Sequence, residues 1–331
     1  MNAEFHYYSV YFLCLRAGMP ERRCSDIAFA SQYVDNAILA YDIDDGGFSC
    51  RSRVTQNYLF WDEETLRGIY LPFHFIPGDM EAARRERVDG AASRWTVTPD
   101  SPMAKELLVS ALRTGDDFRI GIALHAYADT WAHQHFSGRI EEGNAVSPAS
   151  PLPPAGHLQA LRAPDDAAGR WTDSRLVPEL ARVDNAARFR AAARKIYRYL
   201  RTHLRLGFAE EELVLDELCA VWARNPGDMK ARVASFTVDL DVPPYDKRSY
   251  LSRAGIGLDR PDERPEDILA GGYDKLDWLR GELARRSGSG SGLRRVETRG
   301  RFRDSELRRW DDAARDHSEL ATSLLKKEGL L

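Results

Sequence analysis

The segment 124–136 places three histidines and an aspartate in a run that otherwise has the composition of a buried helix. His125, Asp129 and His133 are spaced four residues apart, and each step of four rotates an α-helix by only roughly 40°. The three side chains therefore share one helix face, and the apolar flanks predict that this face points inward. Imidazole and carboxylate groups bind zinc and related divalent ions. The run predicts an interior metal site, with a hydrogen-bonded histidine core as the alternative.

Polar residues from the preceding part of the chain are candidates for the same site. His6 lies on the first turn of a helix predicted over 5–17, and Asp35 lies near the end of a helix that opens at Pro20. His74 lies in an aromatic segment between two prolines, which predicts extended backbone there. The candidate metal ligands are therefore His6, Asp35, His74, His125, Asp129, His133, His135 and His157.

Residues 137–175 form a long segment rich in glycine, proline and serine, for which the sequence predicts little regular structure. It contains His157 and the acidic pair Asp165 and Asp166. Long loops inside a globular domain are often functional. The segment is expected either to fold over the metal site and supply ligands, or to be a solvated insertion.

Helical periodicity recurs along most of the chain and predicts an all-α fold, a multi-helix bundle. The Ser/Gly run 287–292 predicts a flexible linker. It divides the chain into a helical metal-binding domain, 1–286, and a C-terminal part, 293–331. That part is predicted to contain a basic segment and an amphipathic helix that docks on the main domain. Its arginines are either solvated or available to a phosphate group or a protein partner.

Composition narrows the cellular context. The net charge of −4 and the pI of about 6.1 argue against broad electrostatic attraction to nucleic acid or anionic membranes. The four cysteines have no metal-binding spacing, which favours reduced thiols. The sequence shows no transmembrane run and no export signal. We therefore expect a cytoplasmic protein.

The order His, Asp, His, followed by His-x-x-x-Asp on a buried helix, resembles the all-α zinc-dependent phospholipase C and S1/P1 nuclease superfamily. In that superfamily a histidine follows the aspartate by four or six residues, and here His133 and His135 fill both spacings. The phrases ASQYVD, LPFHFIPG and ALHAYADTWAHQ more closely resemble an uncharacterised family of proteins of about this length. That closer resemblance covers most of residues 4–175.

The superfamily resemblance implies a bundle of the phospholipase C type with long irregular loops and a cluster of metal ions. His74, His125 and Asp129 would bind one ion, with Asp35 as a bridging ligand or general base. Asp129 would bridge to a second ion that also takes His6. The secreted phospholipases use a free N-terminal residue as a ligand, whereas here five residues precede His6.

A further ion would take His157 together with His133 or His135. The superfamily has a glutamate four residues after the last histidine, and this chain has Leu161 there. Asp165 is a possible substitute. The resemblance thus implies a divalent metal, zinc being favoured, with one or two ions and three as the upper limit.

These observations predict a metal-dependent hydrolase of phosphate esters, a phosphodiesterase or a phospholipase C-like enzyme, in which Asp35 is the catalytic residue that orients or deprotonates water. The substrate would be a small-molecule or lipid phosphate ester, and an apolar rim for a lipid would be formed by Phe73, Phe75, Trp131 and Leu152. One alternative is a helical di-iron oxidase or oxygenase. Another is a non-catalytic, metal-stabilised helical module whose C-terminal basic helix binds a protein partner.

Overall fold

Helices make up most of the structure. The computed structural model describes residues 1–57, 60–257, 279, 283 and 294–331. The α-helices among them are α1 (Val10–Ala17), α2 (Glu21–Asn36), α3 (Glu63–Thr65), α4 (Leu71–Phe73), α5 (Met80–Glu86), α6 (Pro102–Thr114), α7 (Asp117–Ala132), α8 (Asn185–His203), α9 (Glu211–Trp222), α10 (Met229–Asp239), α11 (Lys247–Arg253) and α12 (Glu306–Lys327). π-Helical segments at Glu4–Ser9 and Leu66–Tyr70 lead directly into α1 and α4, and single 3₁₀ turns are formed by Glu142–Asn144, Leu158–Ala160 and Ala163–Asp165.

Helix α7 lies at the centre of the core. Asp116 caps its N-terminus by accepting a hydrogen bond from the Arg119 backbone N–H. The helix packs against α2, α6, α8 and α12, and almost every residue on it is buried. It approaches α2 so closely at Gly121 that a Cβ atom there would lie 2.2 Å from the Ile27 carbonyl oxygen. The polar residues of α7 are therefore held in the interior between two closely packed helices.

Two small sheets in the described part of the chain make the fold mixed α and β, so the expectation of an all-α fold is wrong. β1 (Tyr41–Asp44) pairs antiparallel with β2 (Ser49–Arg51) and parallel with β5 (Arg294–Glu297). β3 (Arg170–Thr172) pairs antiparallel with β4 (Arg182–Asp184). Strands of three or four residues are too short to show a clear alternation in sequence, and the partner of β1 comes from the far end of the chain.

The backbone before His74 also differs from the expectation. Residues Leu71–Phe73 are helical, so the predicted extended conformation is wrong there. Pro72 lies within the first turn of α4, where proline is tolerated. The chain leaves the helix at His74, whose N–H donates to the Tyr70 carbonyl.

The C-terminal residues pack on the same core. Helix α12 lies against α4, α6 and α7. Trp310 donates through Nε1 to the Ala30 carbonyl at 3.1 Å, and Nε2 of His317 lies 2.9 Å from the Pro72 carbonyl. The predicted linker 287–292 and the predicted boundary at 286 lie outside the described residues.

None of the helices in the described ranges combines the length and the apolar character needed to cross a membrane.

Candidate metal centre

Helix α7 carries an ionised carboxylate in the core. His125 is 0% exposed, Asp129 is 1% exposed, and His133 follows as the C-terminal cap. Burial opposes ionisation of Asp129, but the adjacent Met1 amino group and three histidines hold the pKa of this carboxyl well below its usual range. A buried anion must be paired or coordinated. Asp129 is therefore a point in the interior that attracts a cation.

One set of ligand atoms, the central group, consists of Asp35, His74 and His125 and adjoins Asp129. His74 Nδ1 and His125 Nε2 are 3.2 Å apart and lie 3.2 and 3.3 Å from Asp129 Oδ2. Asp35 Oδ1 lies 3.9 and 3.8 Å from the same two nitrogens. Ligand atoms that are 2.0–2.1 Å from a tetrahedral zinc ion stand about 3.3 Å from one another. The central group thus has nearly the dimensions of a zinc site.

Hydrogen bonding shows which atom of His74 is available as a ligand. Its Nε2 lies 2.8 Å from the Thr55 carbonyl oxygen, a contact that requires an N–H donor. In a neutral ring the other nitrogen, Nδ1, then carries a lone pair, and this atom faces the Asp129 carboxylate. Two lone pairs in contact repel unless a cation lies between them. Burial opposes protonation of His74, but the neighbouring Asp129 raises the pKa of the ring, so the carboxylate favours a positive charge at this point.

The N-terminal group consists of His6, His125 and Asp129. His6 Nε2 lies 3.1 Å from Asp129 Oδ1, the oxygen opposite the one that faces the central group. The His6 and His125 rings stack with centroids 3.8 Å apart. Burial lowers the pKa of His6 to about 3, so its ring is neutral near neutral pH. Asp129 therefore presents one oxygen to each of two ligand groups, as a bridging carboxylate does.

The amino group of Met1 was missed by the sequence reasoning, which noted only that five residues precede His6. It is fully buried, contacts Asp129 and lies 3.3 Å from Asp165 Oδ1. Burial opposes its charge, but the carboxylates around it raise its pKa to about 10. The turn that begins the Glu4–Ser9 π-helix brings this group back to the site, because the N–H of His6 donates to the Asn2 carbonyl. No sequence motif marks this return.

The outer group consists of His133, His157 and Asp165. His133 Nδ1 lies 2.7 Å from the His74 carbonyl, and His157 Nδ1 lies 3.0 Å from the Leu161 carbonyl. Each ring therefore donates from Nδ1 to backbone and presents Nε2 to Asp165, at 3.6 Å in both cases. A backbone carbonyl that fixes one nitrogen of a histidine is the usual support for a metal-binding ring.

Asp165 enters this group from the long segment 137–175. Asp165 was expected in two ways, as part of a segment that could fold over the site and supply ligands and as a substitute for the glutamate missing at Leu161. The signal was the acidic pair that it forms with Asp166 soon after His157. Asn185 holds the turn that carries it, since Nδ2 donates to the Ala163 and Asp166 carbonyls at 2.6 and 2.7 Å. The segment thus supplies His157 and Asp165 to the site from a turn that α8 supports.

His135 lies outside the three groups found in the described residues. Helix α7 ends at Ala132. His133, the C-terminal cap, still lies beside Asp129, whereas His135, two residues further on, has left this helix face. His135 adopts a φ of 66°, and its Nε2 lies 3.2 Å from Glu86. The structure therefore brings together seven of the eight candidate ligands, with His133 rather than His135 among them.

The predicted apolar rim is not present as drawn. Phe73, Phe75 and Trp131 are at most 5% exposed and belong to the core, whereas Leu152 is 36% exposed. Phe75 instead stacks on His133 with centroids 4.5 Å apart. Phe75 thus packs beside an imidazole ring of the candidate site, and the buried Phe73, Phe75 and Trp131 do not form a rim that could contact a lipid.

Comparison with known proteins gives a family and no activity. The sequence matches, over residues 1–325, the family described as Family of unknown function (DUF6765). No curated protein and no solved structure matches the chain significantly. A function can therefore be inferred only from the geometry of the His/Asp groups, which could hold metal ions.

Proposed function

We propose that this chain, which belongs to the family of unknown function DUF6765, is a metal-dependent hydrolase of phosphate esters. One observation carries the proposal. Asp129, buried at the centre of the core, directs Oδ1 to His6 and Oδ2 to His74 and His125. A carboxylate in this arrangement can bridge two divalent ions.

Zinc is the metal that we propose. The three groups supply five imidazoles and three carboxylates, and no thiolate, which fits zinc among the common divalent ions. His125 is shared by the central and N-terminal groups, and a neutral imidazole binds one ion through one nitrogen. His125 can therefore serve only one of these two groups. Asp129 directs a separate oxygen to each of them, so we expect two ions around Asp129 and a third at the outer group.

The site is open on one side, which favours catalysis over a purely structural role. His6, His125 and Asp129 are essentially inaccessible, whereas the side chains of Asp35 and His157 are 19% and 22% exposed. Structural zinc sites are closed, and catalytic sites keep a position for water or substrate. The exposed edge of the central group is the expected place for that position.

Within this site the residues of the chain have separate roles. Asp35 lies at the solvent edge and is placed to orient or deprotonate an attacking water. Gln56 steadies it by donating from Nε2 to Asp35 Oδ1 at 3.2 Å, while its own Oε1 accepts from the Asn57 N–H. Bound divalent ions would lower the pKa of a coordinated water and stabilise the negative charge that develops in phosphoryl transfer. This charge stabilisation is why a phosphate ester is the proposed substrate class.

A cytoplasmic location is part of the proposal. All four cysteines are unpaired thiols, and Cys14 and Cys24 are buried. Unpaired cysteines are typical of reducing compartments.

The test combines metal analysis with hydrolysis. Purified wild-type protein is expected to contain about two to three zinc ions and to hydrolyse a generic phosphodiester or phosphomonoester substrate. His125→Ala removes a ring that the central and N-terminal groups share, and Asp129→Asn removes the charge of the carboxylate that faces both groups. We expect both variants to lose metal and to lower kcat/KM on the order of 100-fold or more. His203→Ala, which alters a histidine on α8 outside the three groups, is the control and should behave as wild type.

Four other outcomes of this experiment would contradict or change the proposal. Equal trace metal in all four proteins would refute the metal site. Bound iron with visible absorbance and no hydrolysis would indicate a di-iron oxidase. Stoichiometric zinc without hydrolysis of either ester class would indicate a structural module, and hydrolysis confined to short-chain phospholipids would identify a lipid substrate.

A further inference from the structure

A buried arginine outside the three ligand groups joins the segments that carry two of them. Arg232 on α10 is 1% exposed. Its Nε and Nη2 donate to the two oxygens of Glu4 at 2.7 and 2.8 Å, and Nη2 also donates to Asp166 Oδ1 at 2.7 Å. Nη1 contacts the Asn225 carbonyl at 3.2 Å. One guanidinium thus clamps two carboxylates that are distant in sequence.

Both carboxylates are near neighbours of candidate ligands. Glu4 lies two residues before His6 on the same π-helix, and it is fully buried. Asp166 directly follows Asp165. Moving the guanidinium would therefore shift the helix turn that carries His6 and the turn that carries Asp165 together.

Stability alone does not account for this arrangement. Removing charged groups from water is costly, and buried ion networks can often be replaced by apolar residues without loss of stability. The turn at Asp165 already has another support, since Asn185 binds the carbonyls of Ala163 and Asp166. What Arg232 adds is a rigid two-pronged contact that fixes the relative position of the two segments.

We propose that Arg232 is a positioning residue that couples the outer group to the N-terminal group. It holds Asp165 and His6 in register, so that an ion bound at the outer group and an ion bound at the N-terminal group favour each other. No residue of the central group touches this clamp, and its only shared ligand with the N-terminal group is His125 on α7, so we expect the clamp to affect the central group least. The proposal rests on the metal sites of the proposed function.

The experiment titrates the metal-free, full-length protein with zinc in competition with a chromophoric chelator. His157→Ala and His6→Ala identify the binding phases of the outer and N-terminal groups. Arg232→Lys keeps the positive charge but loses the two-pronged guanidinium contact. We expect it to lower the zinc affinity of the outer and N-terminal groups about 10- to 100-fold, and that of the central group less than about threefold. Excess zinc should restore kcat in Arg232→Lys, because the ligands themselves are intact.

Arg198→Lys is the matched control. Arg198 makes the same two-nitrogen contact with Glu211 between α8 and α9, away from the three groups, and its variant should bind zinc as wild type does. Unfolding of the metal-free proteins is measured alongside. If Arg232→Lys weakens all three phases equally in step with a loss of stability, or weakens none, the positioning role is refuted. Wild-type protein that takes up no zinc refutes both proposals, whereas zinc uptake with an unchanged Arg232→Lys refutes only this one.

Discussion

Replacing Gly121 with alanine tests whether the close approach of α7 and α2 holds the site together. The added Cβ would lie 2.2 Å from the Ile27 carbonyl oxygen and 2.6 Å from the Ala30 Cβ. Ordinary nonbonded separations are about 3.5 Å, so the helices must part by about 1 Å. One obstacle is backbone, which cannot rotate away as a side chain can.

The two energetic effects have opposite signs, and the structure decides between them. Alanine is favoured over glycine inside a helix by about 1 kcal/mol. Overpacking of a well-packed core costs up to about 3 kcal/mol, and a backbone collision belongs at the upper end of that range. We therefore expect a net destabilisation of about 2 kcal/mol, or a fall in Tm of roughly 3 °C for a chain of 331 residues.

The same displacement would affect the proposed metal site, because Asp35 lies on α2 and His125 on α7. Moving these ligands apart by about 1 Å exceeds the tolerance of a preorganised site. Zinc affinity of the central group should therefore fall as well. The assay is urea unfolding of the metal-free protein together with zinc titration.

Gly68→Ala is the control, because this glycine-to-alanine change is expected to raise stability rather than lower it. Gly68 is exposed on the Leu66–Tyr70 π-helix, and an added Cβ would contact nothing within 4 Å. Gly68→Ala should leave zinc binding unchanged and stabilise the protein by a few tenths to about 1 kcal/mol. A Gly121→Ala variant that is as stable as wild type and binds zinc equally well would show that the helix contact is not limiting.

Two further predictions concern histidines. Burial lowers the pKa of His317 to about 4 from an ordinary 6.5, so the unfolded chain binds more protons between these values. The free energy of unfolding should therefore decrease as the pH is lowered through this window. His317 alone should contribute a loss of about 2 kcal/mol between pH 7.5 and pH 5. His317→Asn should lack this part of the pH dependence when the free energy of unfolding in urea is compared at pH 7.5 and pH 5. If the variant loses as much stability as wild type between the two pH values, His317 is not the group responsible. His133→Ala should lose the outer ion and His135→Ala should keep it, as zinc analysis would show; the reverse result would assign the ligand role to His135.

The sequence was most informative where the signal is local. Helical spacing on α7 predicted that His125, Asp129 and His133 share a face, and the structure places all three in the interior. The helix ends near Gly18 and Gly115 follow from residues that adopt positive φ there. In these cases neighbours in sequence are sufficient to define the geometry.

Signals that depend on distant residues were missed. The pairing of β1 with β5 joins opposite ends of the chain, so no local period reveals it. The choice between His133 and His135 depends on the residue at which α7 ends, and the spacing motif leaves that open. The turn that carries Asp165 is contacted by Asn185 and Arg232, which are 19 or more residues away in sequence. Side chains that support a turn from another helix leave no pattern near the turn itself.

The position of the candidate site in the core would link the proposed metal binding to folding. Asp129 is ionised and inaccessible, and the lone pair of His74 faces it. A cation at this point satisfies both groups only in the folded chain, because α2, α7 and the N-terminal helix converge there. Binding to the folded state alone stabilises it by an amount that grows with the logarithm of the metal concentration. The ligands of the central and N-terminal groups come from the centre of the fold, so ions bound there should contribute to global stability. The outer group takes His157 and Asp165 from a peripheral segment, so an ion bound there should mainly order that segment.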